Sequence, residues 1–70
     1  MMEIILNNAA EKIETEKNSL TVSELLDMKK FTFELLIVRI NGELVKQANY
    51  TTSSFTNGDK VDVIHVFGGG

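Results

Sequence analysis

The chain has 70 residues, a formal net charge of −3, 43% hydrophobic residues and no cysteine. That length holds one small-core domain and excludes a second, and the missing cysteines exclude disulfides, thiolate metal sites and a sulfur nucleophile among its own side chains. The acidic balance, with lysines scattered rather than striped, argues against nucleic acid, and the lack of a long apolar run or a cleavable leader argues against a membrane, so a cytoplasmic chain is expected.

Met2-Glu3-Ile4-Ile5-Leu6 reads as a first strand. Met2, Ile4 and Leu6 share one face, and Glu3 and Ile5 the other. Asn7-Asn8 is turn chemistry, because asparagine tolerates left-handed backbone. Residues 11–16 then alternate with Ile13 as their one strong apolar member, which suits a charged edge strand. A helix is expected over residues 22–29. Thr21 and Glu24 have the spacing of a capping box, and Leu20 and Leu25 that of a hydrophobic staple. Val22, Leu25 and Leu26 form its apolar stripe, with Met28 as a further candidate, and Lys29 and Lys30 are expected in its last turn. Such a short helix does not hold alone and must lie across a sheet.

Residues 33–40 are the longest apolar run, interrupted only by Glu34 and Arg39. They read as a central strand covered at least partly on both faces. Leu36, Val38 and Ile40 are the expected core face, with Leu35, Ile37 and Arg39 pointing the other way. Asn41-Gly42 is the strongest hairpin signal, since a type I′ turn needs positive φ at both central residues. Residues 43–46 form the return strand. Residues 47–57 are a polar connection, pinned by Tyr50 and Phe55. Asn57-Gly58-Asp59 turns the chain into a last strand. There, Val61, Val63, His65 and Phe67 share the inner face, and Asp62, Ile64 and Val66 the outer one. Exposed Ile64 and Val66 beside the chain's end suggest a docking surface.

The order is strand, strand, helix, strand, strand, connection, strand. The expected fold is α+β: one main helix packed across a mixed four- to five-stranded sheet, the β-grasp pattern. A crossover from the first hairpin through the helix to the long strand is right-handed if the joined strands are parallel. The expected division is a domain over residues 1–67 and a flexible tail, Gly68-Gly69-Gly70.

Most catalytic signatures are missing. His65 is the one histidine and lies inside a strand, so it reads as a half-buried structural residue. Glu11, Glu14 and Glu16 have no histidines beside them and make a poor transition-metal site. No Gly-x-x-x-x-Gly-Lys loop exists, and the tail glycines do not open a helix. No catalytic residue, metal or bound cofactor is expected. The tail remains. Three glycines cannot pack a core and are costly to order. They can thread a channel too narrow for any Cβ, which makes the Gly70 carboxylate the candidate reactive group. The other reading of the glycines is a linker or a frayed end.

Val38-Arg39-Ile40-Asn41-Gly42-Glu43-Leu44-Val45 resembles the strand, Asn-Gly turn and strand of the small sulfur carrier proteins of thiamine biosynthesis. Leu20-Thr21-Val22-Ser23-Glu24-Leu25-Leu26 is similar to their helix start. Gly58-Asp59-Lys60-Val61-Asp62-Val63 resembles their turn into the last strand, with Phe55 where leucine is usual. Ile64-His65-Val66-Phe67-Gly68-Gly69-Gly70 resembles their C-terminus. Departures are Asn7-Asn8 in place of Asn-Gly, Lys46 and Gln47 in place of a proline, and an unusually polar connection over residues 47–57. The resemblance implies a ubiquitin-like β-grasp carrier that is not itself an enzyme. It implies adenylation of Gly70 by an activating enzyme that uses ATP and Mg²⁺. Sulfur from a persulfide donor such as a cysteine desulfurase then gives a thiocarboxylate, which serves a thiazole synthase. Gly68 and Gly69 thread the tail, Ile64, Val66 and Phe67 are the expected docking residues, and the free chain is expected to be monomeric.

The nearest rival is the small subunit of molybdopterin synthase, which uses the same tail chemistry. It usually has a longer chain and a proline before its diglycine, and this chain has no proline. A protein modifier joined through Gly70 to lysines, and a β-grasp binding module with incidental glycines, are the other classes. Loss of function on removing Gly70 separates the last from the rest.

Overall fold

The computed structural model describes residues 1–30 and 36–65. Strand β1, Met2–Leu6, alternates as expected, with Met2, Ile4 and Leu6 buried and Glu3 and Ile5 exposed. Asn7 and Asn8 both take positive φ, 51° and 67°. That two-residue turn starts the return strand early. Strand β2 runs Ala9–Ile13, not over residues 11–16, with Ala9 opposite Leu6 and Ile13 opposite Met2. Glu14 and Glu16 lie past the start of β1, so no partner remains for them.

A three-residue strand, β3 (Ser19–Thr21), leads into helix α1, Val22–Met28. The capping box is complete. The Glu24 N–H donates to Thr21 Oγ1 at 3.2 Å, and the Thr21 N–H donates to Glu24 Oε1 at 3.0 Å. Lys17 is the main cause holding the Glu24 carboxyl below its usual range, followed by the Thr21 N–H. Leu20 and Leu25 are both buried, as the staple spacing requires. The lysines fall past the helix rather than in its last turn. Lys29 is the C-cap, and Lys30 has φ 55°, a left-handed residue that stops the helix. The Lys29 ammonium pairs instead with Glu11 on β2. Val22 and Leu25 are buried and Leu26 packs against the core, but Met28 is exposed and outside the stripe.

Strand β4, Leu36–Ile40, and strand β5, Glu43–Val45, meet at Asn41-Gly42, whose φ values of 51° and 85° meet the type I′ demand. Lys46 leaves the ladder and caps a short 3₁₀ turn, Gln47–Asn49. Strand β6 (Ser54–Thr56) lies inside the stretch read from sequence as a polar connection and pairs antiparallel with β3. Strand β7, Lys60–His65, completes the set.

The main sheet has the order β2-β1-β7-β4-β5. Strand β7 sits at its centre, parallel to β1 and antiparallel to β4. Helix residues Val22 and Leu25 join Ile4, Val38, Val61, Val63 and Phe55 in one buried core. One helix covers one face. Strand β4 is therefore not covered on both sides: Val38 is buried with Leu36 and Ile40 packed against the core, while Ile37 is exposed on the other face. This mixed five-stranded sheet under a single helix is a ubiquitin-like β-grasp fold.

Candidate functional site

The last strand is held at its start by side chains rather than by long ladders. Gly58 turns the chain with φ 90°. Asp59 accepts from the Thr56 N–H at 2.8 Å and from Asn41 Nδ2 at 3.1 Å. Those bonds, the Thr56 one first, hold its carboxyl below the usual range. Asn41 is a clamp: its Oδ1 accepts from the Lys60 N–H at 2.9 Å, and its own N–H donates to the Lys60 carbonyl at 2.7 Å. Strand β1 pairs with β7 only at Ile5–Lys60 and Leu6–Val61. Beyond that, Asn7 Oδ1 accepts from the Val63 N–H at 2.8 Å, and so takes the place of a backbone partner. Past Val63, β7 pairs with β4 through Ile37–Ile64 and Leu36–His65.

This geometry puts a specific set of side chains on the uncovered face of the sheet. Ile64 on β7 lies directly opposite Ile37 on β4, and Arg39 on β4 lies between Asp62 on β7 and Leu44 on β5. Ile37, Ile64 and Leu44 are 39%, 40% and 64% exposed. An aliphatic pair and a leucine thus flank one guanidinium, beside the end of the strand that leads into residues 66–70. Ile64 is where the alternation put it. His65 is half-buried on the opposite face. Val66, Phe67, Gly68, Gly69 and Gly70 lie outside the described residues. Sequence reading turned Ile37 and Arg39 outward but did not join them to Ile64, and it left Leu44 unassigned. The missing signal was register: parity gives a side chain its face, but only pairing shows which outward side chains are neighbours.

Among the described residues no cluster of acidic or histidine side chains could hold a metal ion, and no helix is long and apolar enough to cross a membrane. The face offers aliphatic contact and charge, not a nucleophile with a base.

Comparison with known proteins agrees with this fold. The model of the ThiS family matches residues 4–70. A crystal structure of a thiamine biosynthesis protein (ThiS) from Geobacter metallireducens is similar with a TM-score of 0.86 and 28% identity, covering 99% of this chain and 100% of that one. An NMR solution structure of a thiamine biosynthesis protein from the same organism is similar with a TM-score of 0.79 and 28% identity, over 99% of this chain and 88% of that one. No curated protein matches.

Proposed function

The chain belongs to the ThiS family, and we propose that it is a sulfur carrier for thiazole formation in thiamine biosynthesis, with the Gly70 carboxylate as its working group. The observation that carries this reading is that the family match runs through the glycines to residue 70. The chain acts as a co-substrate and leaves catalysis to its partners.

The chemistry explains the need for partners. A carboxylate is a poor electrophile, because attack adds charge to an anion. In an activating enzyme, a Gly70 carboxylate oxygen attacks the α-phosphorus of ATP and pyrophosphate leaves, with Mg²⁺ offsetting the phosphate charge. The resulting acyl-adenylate has a good leaving group. The terminal sulfur of a donor persulfide attacks the carbonyl carbon and AMP departs. A thiol then splits the sulfur–sulfur bond and frees the thiocarboxylate. That soft nucleophile delivers sulfur to an electrophilic intermediate on a thiazole synthase. Gly68 and Gly69 let the tail lie in both active sites, and Ile64, Val66 and Phe67 provide apolar docking beside it.

The test is the intact mass of the chain after incubation with ATP, an activating enzyme and a persulfide donor, beside a control lacking Gly70. Exchange of one oxygen for sulfur in the full chain alone is the expected result. No exchange with an enzyme that modifies another carrier overturns the reading, and attachment of the tail to lysines identifies a protein modifier instead.

A further inference from the structure

We propose that Arg39 is the charged anchor of the docking face, and that it takes a carboxylate on the activating enzyme set among aliphatic side chains. This deepens the carrier reading and rests on it.

Arg39 is the one arginine of an acidic chain. Its side chain is 43% exposed, and Nε, itself buried, has no hydrogen-bond partner. The nearest carboxylate oxygen is Asp62 Oδ2 at 3.8 Å, an ion-pair distance beyond that of a hydrogen bond. Asp62, on the same face, is only 13% exposed. It holds the cation on the sheet by attraction, while Nε stays without a hydrogen bond. A guanidinium offers five donors in a planar fork that matches a carboxylate two at a time. The exposed part of the Arg39 side chain is open to a partner's carboxylate.

The surroundings set the partner's chemistry. Leu44 lies directly across from Arg39, and the Ile37–Ile64 pair is next along the strands on the same face. Apolar neighbours shield a docked ion pair from water and strengthen it. Arginine ringed by aliphatic contacts is also a common form of interface hot spot. Position supplies the occupant. The five residues after His65 reach at most about 18 Å when extended, so an enzyme that works on Gly70 must sit close to this end of β7. Three of those five residues are glycine, and Val66 and Phe67 offer apolar contact but no charge. The folded face beside them supplies the charged part of recognition, and the activating enzyme is the first that has to recognise it.

The experiment is steady-state kinetics of ATP-dependent modification of the full chain by its activating enzyme. Wild type, R39K and R39Q are compared at several salt concentrations. R39Q is expected to raise KM about tenfold, equivalent to about 1.4 kcal/mol, with kcat within about twofold, as loss of uniform binding requires. R39K, which keeps the charge and loses the fork, falls between them. The wild-type KM rises with salt, and the R39Q value rises less. Unchanged KM and equal salt slopes, with the wild type turned over normally, overturn the anchor and leave the carrier reading standing. A wild-type chain that is not turned over at all overturns both.

Discussion

Asparagine does in this chain what glycine and proline do in many others. Asn7, Asn8 and Asn41 occupy left-handed backbone, and two of them also spend their side chains on a neighbouring strand. Asn7 Oδ1 supplies the acceptor that the Val63 N–H lacks once β1 has ended. Asn7→Gly keeps the favourable backbone and removes only that acceptor. It should therefore destabilise the fold, by about 1–2 kcal/mol, as measured by urea denaturation; a neutral or stabilising result would show that backbone conformation alone matters there. Asp59 makes a second residue-scale prediction. Its hydrogen bonds to the Thr56 N–H and Asn41 lower its folded pKa from an ordinary 3.8. A group lowered in this way contributes stability that is fully present above 3.8 and is lost as pH falls through the folded value. Asp59→Asn removes that dependence. The melting temperatures of the two proteins should converge as the pH drops below 3.8, and a constant gap across that range would argue against the linkage.

At the scale of elements, local signals were legible and long-range ones were not. The capping box was plain because both partners lie within four residues and their chemistry is reciprocal. Thr21→Ala should cost about 1 kcal/mol, visible as a lower denaturation midpoint at an unchanged urea m-value; no loss would mean that sheet packing alone fixes the helix start. The Asn41-Gly42 hairpin was equally local. Strands β3 and β6 were missed for the opposite reason. Each has three residues, too few for a period, and Leu20 finds Phe55 across a long separation in sequence. Burial of Leu20, Phe55 and Tyr50 was legible from residue type, but the pairing that brings them together was not. The error over β4 has another source. An unbroken apolar run normally means cover on both faces. Here part of the run stays on the face opposite the helix, where Ile37 is exposed. The outward side of the site was thus readable residue by residue, whereas the Ile37–Ile64 and Arg39–Asp62 neighbours required the sheet order.

The whole molecule divides its apolar side chains between two tasks, and the division can be tested by placing one charge on each side of it. Core residues such as Val61 and Val63 face the helix and are buried, while Ile64, the next residue in the strand, is 40% exposed. Ile64→Asp therefore gives up only the covered part of that side chain, less than a core substitution would, and it adds a negative charge to an already acidic chain. Its carboxylate would stand beside Asp62 on the same face, so some repulsion is expected within the monomer. The loss should be about 1–2 kcal/mol, a drop in melting temperature that leaves the chain folded. Docking should suffer far more, because an interface would have to bury an unpaired carboxylate beside Ile37. Gly69→Ala makes the contrasting change. It leaves the docking face intact and adds one Cβ to the tail, so activation should slow with KM nearly preserved and kcat reduced. Ile64→Asp should instead raise KM. The two variants, run in the same kinetic assay with thermal melts as the control, separate recognition by the sheet from threading of the glycines. A collapse in melting temperature for Ile64→Asp would place Ile64 in the core, and an unchanged kcat for Gly69→Ala would remove the narrow-channel argument. The expected pattern assigns recognition to the folded domain and reaction to the tail, which is the arrangement a chain without catalytic groups of its own needs if successive enzymes are to work on a single carboxylate.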